Sequence, residues 1–279
     1  MIKNIILLCG VALLFTLIYL DNTLIKSSRY KIESNKIPTE FDKFKIVHLS
    51  DFHSYNFGRN NTRLIKKIND ECPSIIVMTG DMVNKYDKKF ERFLNLAEAL
   101  SKKYEIYYIV GNHEQRLIKD DLDLIIRKLN QYGIKTLSDE KMTIMRKKDH
   151  INIYGVDIPI SYYKMKNRHS NVEDVINTVL SRCNEKEYNI LLAHNPLYFE
   201  KYAKHNVDLT LSGHVHGGMV RLPFIGAILS PERRFFPKYS GGVYNLNNKK
   251  LIVSRGIGNS KPGIRLFNMP EIVSITLFY

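Results

Sequence analysis

A chain of 279 residues with 44% hydrophobic and 25% charged side chains, 9 Pro and 15 Gly can bury a sizeable core, and its makeup excludes disorder, collagen-like repeats and solenoids. Three widely spaced cysteines (Cys9, Cys72 and Cys183), with no CxxC pair, exclude a disulfide framework and a thiolate zinc site. The formal charge of +14 favours anionic partners (phosphorylated small molecules, acidic lipid headgroups or nucleic acid) without choosing among them.

Residues 5–20 read IILLCGVALLFTLIYL and carry no charge. At about 1.5 Å per residue this run falls a little short of a ~30 Å hydrocarbon core, and Asn4 with residues 22–25 completes the span. No A-x-A pattern near Leu20 marks a cleavage site, and no polar stripe marks a core helix. Residues 1–25 therefore read as an uncleaved, single-pass transmembrane anchor in the cell membrane. Residues 26–40, polar with Ser27-Ser28 and Ile37-Pro38-Thr39, read as a linker. Lys3 and the free amine favour a cytoplasmic amino terminus, with the rest of the chain outside; Lys26, Arg29 and Lys31 pull the other way.

From residue 41 to 279 apolar runs alternate with amphipathic stretches, as one α/β domain. A strand at 44–49 runs into Ser50-Asp51-Phe52-His53. A helix over 62–71 carries Leu64, Ile65 and Ile68 on one face, and a strand at 74–78 ends at Thr79-Gly80-Asp81. A helix near 89–103 leads to a strand at 106–110, which ends at Gly111-Asn112-His113-Glu114. After a helix at 119–132, strands near 142–145 and 151–156 read as antiparallel. A helix at 172–180 precedes a strand at 188–192 ending at Ala193-His194-Asn195-Pro196, and a strand at 207–211 ends at Ser212-Gly213-His214-Val215-His216. Residues 217–241 read as a loop, and strands near 243, 251–253 and 272–278 close the chain.

The repeated junction of an apolar strand with a polar cluster is the informative feature. In open α/β sheets, sites gather at the carboxyl ends of strands, which brings Asp51, His53, Asp81, Asn112, His113, His194, His214 and His216 to one edge. Imidazole, carboxylate and amide groups without thiolate suit two divalent ions of borderline softness, manganese, iron or zinc, better than calcium or magnesium. Asp51 and His53 alternate along an extended strand end and so face one side, as do His214 and His216. Gly80, Gly111 and Gly213 let the backbone turn sharply beside the ions. His48, His150, His169 and His205 read as ordinary packed or surface histidines.

Taken in order, Asp51-Phe52-His53, Gly80-Asp81, Gly111-Asn112-His113-Glu114, His194 and Gly213-His214-Val215-His216 resemble the motifs of the calcineurin-like metallophosphoesterases, over about residues 41–279. Gly217-Gly218-Met219-Val220-Arg221-Leu222-Pro223 and Ser254-Arg255-Gly256-Ile257-Gly258 are similar to the bacterial membrane-tethered branch, which includes phosphohydrolases similar to UDP-diacylglucosamine pyrophosphatase. The resemblance implies a four-layer α-β-β-α sandwich of two mixed sheets behind one membrane helix. It assigns one metal to Asp51, His53 and His216, a second to Asn112, His194 and His214, and a bridging role to Asp81. His113 would be the general acid or transition-state stabiliser, with Glu114, where many relatives have Asp, orienting it. The implied reaction is hydrolysis of a phosphodiester, pyrophosphate or phosphomonoester by a hydroxide shared between the ions.

Arg116 and the later pair Arg233 and Arg234 are candidate substrate contacts. Around them, Leu222, Phe224 and Ile225 read either as packed core or as a membrane-facing lip for a phosphorylated lipid. Two other functions fit parts of the pattern. A nuclease of the same fold would need a basic-aromatic groove, which the sequence does not show, so nucleic acid is not an expected partner. A tethered binding module with a vestigial site would have lost ligands, and none is missing.

Overall fold

The computed structural model describes residues 2–163, 171–218, 220–222, 224–230, 235–259 and 265–279. The helix α1 (Ile2–Thr23) is apolar along its length, and at 1.5 Å per residue it measures roughly 33 Å. It is long and apolar enough to cross a membrane, and none of its most apolar stretch is buried against the rest of the chain.

The remaining elements follow in order: β1 (Lys26–Glu33), β2 (Lys45–Leu49), α2 (Thr62–Asp70), β3 (Ile75–Met78), α3 (Glu91–Ser101), β4 (Glu105–Tyr108), α4 (Lys119–Gln131), β5 (Lys135–Thr136), β6 (Glu140–Arg146), β7 (Asp149–Val156), α5 (Val172–Leu180), β8 (Asn189–Ala193), α6 (Phe199–Tyr202), β9 (Leu209–Ser212), β10 (Val220–Leu222), β11 (Gly226–Leu229), β12 (Gly242–Leu246), β13 (Lys249–Val253) and β14 (Glu271–Phe278). They build two six-stranded mixed sheets, ordered β1-β14-β2-β3-β4-β5 and β12-β13-β9-β8-β7-β6. In the first, β2 to β5 run parallel and β14 is antiparallel to β2. In the second, β7, β8, β9 and β13 run parallel, with β6 and β12 antiparallel at the edges.

Side-chain alternation explains the layering. Ile46, Val77, Tyr107 and Ile275 of the first sheet meet Ile153, Ile190, Leu211 and Ile252 of the second in a central core. Their neighbours Val47, Leu49, Ile76 and Met78 turn outward onto Leu64 and Ile68 of α2, Phe93 and Leu96 of α3, and Ile125 and Leu129 of α4. Tyr154, Leu191 and Val253 pack under Val172, Ile176 and Tyr202. The result is the expected four-layer α-β-β-α sandwich. Central strands covered on both faces read as unbroken apolar runs, which is why they stand out in the sequence.

Two stretches differ from the sequence reading. Within 26–40, read as a linker, residues 26–33 form β1, paired in parallel along its full length with β14. Ile37 and Phe41 enter the central core. The strand lies at a sheet edge and buries only Ile32, so its polar residues mask it. Within 217–241, read as a loop, β10 and β11 form a hairpin whose register shifts between Val220 and Arg221.

Candidate metal centre

The carboxyl ends of β2, β3, β8 and β9 and the loop after β4 meet at the top of the sandwich. The junctions are held backbone to backbone: Asp51 N–H donates to Gly80 O at 3.0 Å, His53 N–H to Asp81 O at 3.0 Å, and Gly213 N–H to His194 O at 3.1 Å. Gly80 has φ +86°, and a Cβ there would meet the Gly111 backbone. Gly213 serves close approach rather than turning, since a Cβ would run into the Ser50 hydroxyl and the Asp51 carboxylate.

Asp51, His53, Asp81, His214 and His216 have φ of 53°, 48°, 52°, 71° and 53°. The left-handed backbone costs on the order of 1–3 kcal/mol per residue and gathers at functional sites. It also corrects the alternation argument, because Asp51 and His53 converge through this conformation and not along an extended strand.

Two triads could each hold a metal ion, Asp51–His53–His216 and Asp81–His194–His214, with the ligand atoms of each within 4.8 Å of one another. The Nε2 atoms of His53 and His216 lie 3.0 Å apart, and His216 Nε2 lies 3.3 Å from Asp51 Oδ1. His194 Nε2 is 3.3 Å from Asp81 Oδ2 and 4.0 Å from Asp51 Oδ1, which links the triads. His53 Nε2 lies 4.0 Å from both Asp51 Oδ1 and Asp81 Oδ2. A third group, His53–Asp81–His113, brings His113 within the same range.

The donor atoms fit cations. His194 Nδ1 lies 2.6 Å from Thr79 O, so Nδ1–H donates and Nε2 is the atom turned toward Asp81, where a cation would take the place of its proton. The buried Asn112 Oδ1 has no hydrogen-bond partner among the described residues, as an oxygen awaiting a cation would.

The electrostatics agree. Burial pushes the Asp51 carboxyl up, with Asp81 adding to the rise, while His194 opposes it. Burial also resists ionisation of Asp81, but the charge and hydrogen bond of His194 outweigh it and hold the group well below its ordinary value. His194 is itself raised to about 9, because Asp81 overcomes burial. Burial drops His53 to about 3 and holds His216 well below its ordinary value. Without cations, the carboxylate charge is thus balanced by a proton on His194, and His53 and His216 are neutral donors suited to metal.

His113 is half-buried, its ring edge-on to His53 with centroids 4.6 Å apart. The backbone N–H of Lys85 donates to His113 Nδ1 at 3.2 Å, so the neutral ring carries its proton on Nε2, 3.9 Å from Asp81 Oδ2. Glu114 does not orient this ring, contrary to expectation. Its buried carboxylate accepts the backbone N–H groups of Asp81 (2.9 Å), Met82 (2.6 Å), Val83 (3.3 Å) and Gly111 (2.9 Å). The Glu114 carboxyl is pushed up to about 7 by burial and then by the Asp81 charge.

Arg116 is exposed just beyond this loop, and its charge helps lower His113 after burial. Arg233 and Arg234 lie outside the described residues, as does His169. His48 is buried and shares a 2.7 Å hydrogen bond with Thr79 Oγ1, as a packed histidine should.

Sequence reasoning missed Arg265 and Asn268. The buried Arg265 donates to Gly258 O at 2.6 Å and Asn268 O at 3.1 Å, and Asn268 Nδ2 donates to His216 O at 2.7 Å. No local pattern announces either residue.

A family model described as calcineurin-like phosphoesterase matches residues 44–218. Metallophosphoesterase YkuE of Bacillus subtilis (strain 168) is 29% identical over 272 residues, covering 93% of this chain and 87% of that protein. A metallophosphoesterase of Aquifex aeolicus (strain VF5) is 30% identical over 262 residues, covering 93% and 94%. Phosphodiesterase YaeI of Escherichia coli (strain K12) is 26% identical over 239 residues, covering 84% and 82%.

Proposed function

From the premise that this chain belongs to the calcineurin-like phosphoesterases and is a metal-dependent phosphoric ester hydrolase, we propose that it cleaves a phosphodiester or pyrophosphate bond in a lipid-linked or nucleotide-linked substrate at the membrane. The observation that carries the reading is the pair of triads, Asp51–His53–His216 and Asp81–His194–His214. Asp51, His53 and His216 would hold one divalent cation (manganese, iron or zinc) and Asn112, His194 and His214 a second, with Asp81 common to both. Such a pair, when bound, supplies a water nucleophile near neutral pH and Lewis acidity for the phosphoryl oxygens.

The chain's own groups do the rest. Thr79 O holds the His194 ring so that Nε2 faces inward. Lys85 N–H holds His113 so that its Nε2–H is presented to the site, where it donates to a phosphoryl or leaving oxygen. Arg116, Arg233 and Arg234 contact the anionic remainder of the substrate. The preference for a diester follows the name of the Escherichia coli relative. The helix α1 anchors the domain in the cell membrane as a single span, with the domain on the extracytoplasmic side.

Hydrolysis of bis-p-nitrophenyl phosphate with manganese, compared with an Asp81→Ala variant, tests the reading. The variant should lose activity, and equal rates would overturn the assignment of the site.

A further inference from the structure

The hairpin that follows the last proposed ligand carries large apolar side chains in the open. Phe224 is fully exposed, and Ile225, Phe235 and Phe236 are 63%, 73% and 68% exposed, with Leu222 partly so. The backbone at Phe224 and Phe236 lies at φ 66° and 48°, a costly conformation for an aromatic residue. Phe235 lies beside β11, bridged to Leu229, and Phe236 N–H donates to Ile228 O at 2.8 Å, so the two aromatics ride on the hairpin. The packed-core reading of Leu222, Phe224 and Ile225 is therefore not what the fold does. Large apolar side chains gathered in the open on one hairpin mark an interaction surface.

The root of the hairpin and the foot of α1 are fastened to neighbouring residues. Asn268 Nδ2 donates to His216 O at 2.7 Å and to Gly218 O at 3.5 Å, which holds the hairpin root. One residue earlier, Phe267 N–H donates to the Asp21 carboxylate at the end of α1. Asn22 reinforces the joint. Its Nδ2 donates to Arg265 O at 2.9 Å, and its Oδ1 accepts from Asn259 Nδ2 at 2.9 Å and from Arg265 N–H at 3.1 Å. Tyr55 OH donates to Asn22 O at 3.2 Å from the loop after His53. Both the apolar helix and the apolar hairpin thus spring from the rim of the metal centre.

We propose that the β10–β11 hairpin is a second membrane contact, which inserts Phe224, Ile225, Phe235 and Phe236 into the lipid interface beside α1 and holds the metal centre face-on to the bilayer. The occupant of the patch is lipid, because the helix on the same rim is itself apolar all round. Aromatic side chains suit the boundary between headgroups and acyl chains. A single span alone would leave the domain free to swivel, and the hairpin fixes its orientation. Phosphoesters carried in the bilayer then meet the centre without leaving the membrane plane. The inference rests on reading α1 as a membrane span and is independent of the phosphoesterase chemistry.

The protein contains no tryptophan, so one substitution gives a unique fluorescent reporter. Full-length chains carrying Phe224→Trp, Phe236→Trp, Leu13→Trp in α1, or Met145→Trp on exposed β6 are reconstituted in phosphatidylethanolamine–phosphatidylglycerol vesicles, with and without brominated acyl chains. Phe224→Trp and Phe236→Trp should emit to the blue of Met145→Trp and be quenched by bromine near the headgroups, while Leu13→Trp is quenched by deeper bromine. Solvent-like, unquenched emission from both hairpin positions, with Leu13→Trp quenched, overturns the proposal and leaves the anchor standing. Unquenched emission at all positions overturns both. A blue shift at the hairpin without bromine dependence means that protein covers the patch, which also overturns it. Hydrolysis of the soluble diester by each chain reports the phosphoesterase reading separately.

Discussion

Glu114 accepts the backbone N–H of Asp81 at 2.9 Å across 33 residues of sequence, and Asp81 in turn accepts the backbone N–H of His113 at 2.7 Å. The two acids clamp the loops after β3 and β4 to each other, so that the proposed bridging carboxylate and the proposed proton donor move as one unit.

Removing the clamp should unseat the centre. Glu114→Ala leaves the N–H groups of Asp81, Met82 and Gly111 buried without an acceptor. At about 1–3 kcal/mol per orphaned group, a loss of roughly 3 kcal/mol or more follows. Thermal unfolding should show a fall in Tm on the order of 6 °C or more, and elemental analysis a fall in bound metal. Unchanged metal content would show that the loops hold their places without Glu114.

His113→Ala should separate chemistry from metal binding. Loss of a proton donor costs typically about 10²–10⁴-fold in turnover, so diester hydrolysis should fall by that order while metal content stays near that of the parent. A variant that loses a metal ion would make His113 a ligand, as its place in the third group with His53 and Asp81 permits.

Chelation should soften the whole molecule. The proposed ligands come from both sheets: Asp51, His53, Asp81 and Asn112 lie beyond strands of the first, and His194, His214 and His216 beyond strands of the second. Ions bound at about 1,000 times Kd stabilise by roughly 4 kcal/mol, so a chelator should lower Tm by on the order of 10 °C and abolish hydrolysis, and manganese should restore both. A Tm indifferent to chelator and manganese would argue against cations at this seam.

Cys72 reports sidedness. It is exposed, whereas Cys183 is buried and Cys9 lies within α1. In intact bacterial cells a membrane-impermeant maleimide should label Cys72. Labelling only after lysis would put the domain in the cytoplasm.

The edge strand after α1 should loosen in acid. Arg29 on β1 donates to the Glu71 carboxylate through Nε at 2.9 Å and Nη2 at 2.7 Å. Burial works to raise Glu71, but hydrogen bonds from Arg29, Ser27 and Ser274 outweigh it and hold the carboxyl below its ordinary 4.5. The lowered folded value means that the pairing stabilises above 4.5 and is lost as pH falls through the folded value. Arg29→Met should therefore narrow the gap in stability between pH 7 and pH 3 measured by denaturant unfolding. A gap as wide as that of the parent would show that Arg29 contributes nothing to it.

Much of the sandwich and its edge was legible because parallel strands covered on both faces read as apolar runs, and each run stops where a ligand-bearing turn begins. Val47 and Met78 announce their strands, and Asp51 and Asp81 mark the turns that end them. β1 was not legible, since an edge strand with only Ile32 buried carries almost no pattern. The hairpin was missed because its apolar residues face outward and do not alternate against a core. Glu114 looked like a partner for the adjacent His113, whereas its acceptances come from backbone groups that the fold brings from elsewhere. Arg265 and Asn268 act through the carbonyl oxygens of other loops, and sequence spacing carries no record of that.

β14 lies between β1 and β2 and pairs with both. The strand that delivers Asp51 pairs with β3 on one side and gains its other neighbour only from residues 271–278, more than two hundred positions later in synthesis. Until they arrive, β1 has no strand to pair with, and the first sheet ends in an open edge at β2. The sheet that presents Asp51 and Asp81 thus has all six of its strands only after residues 271–278 have been delivered.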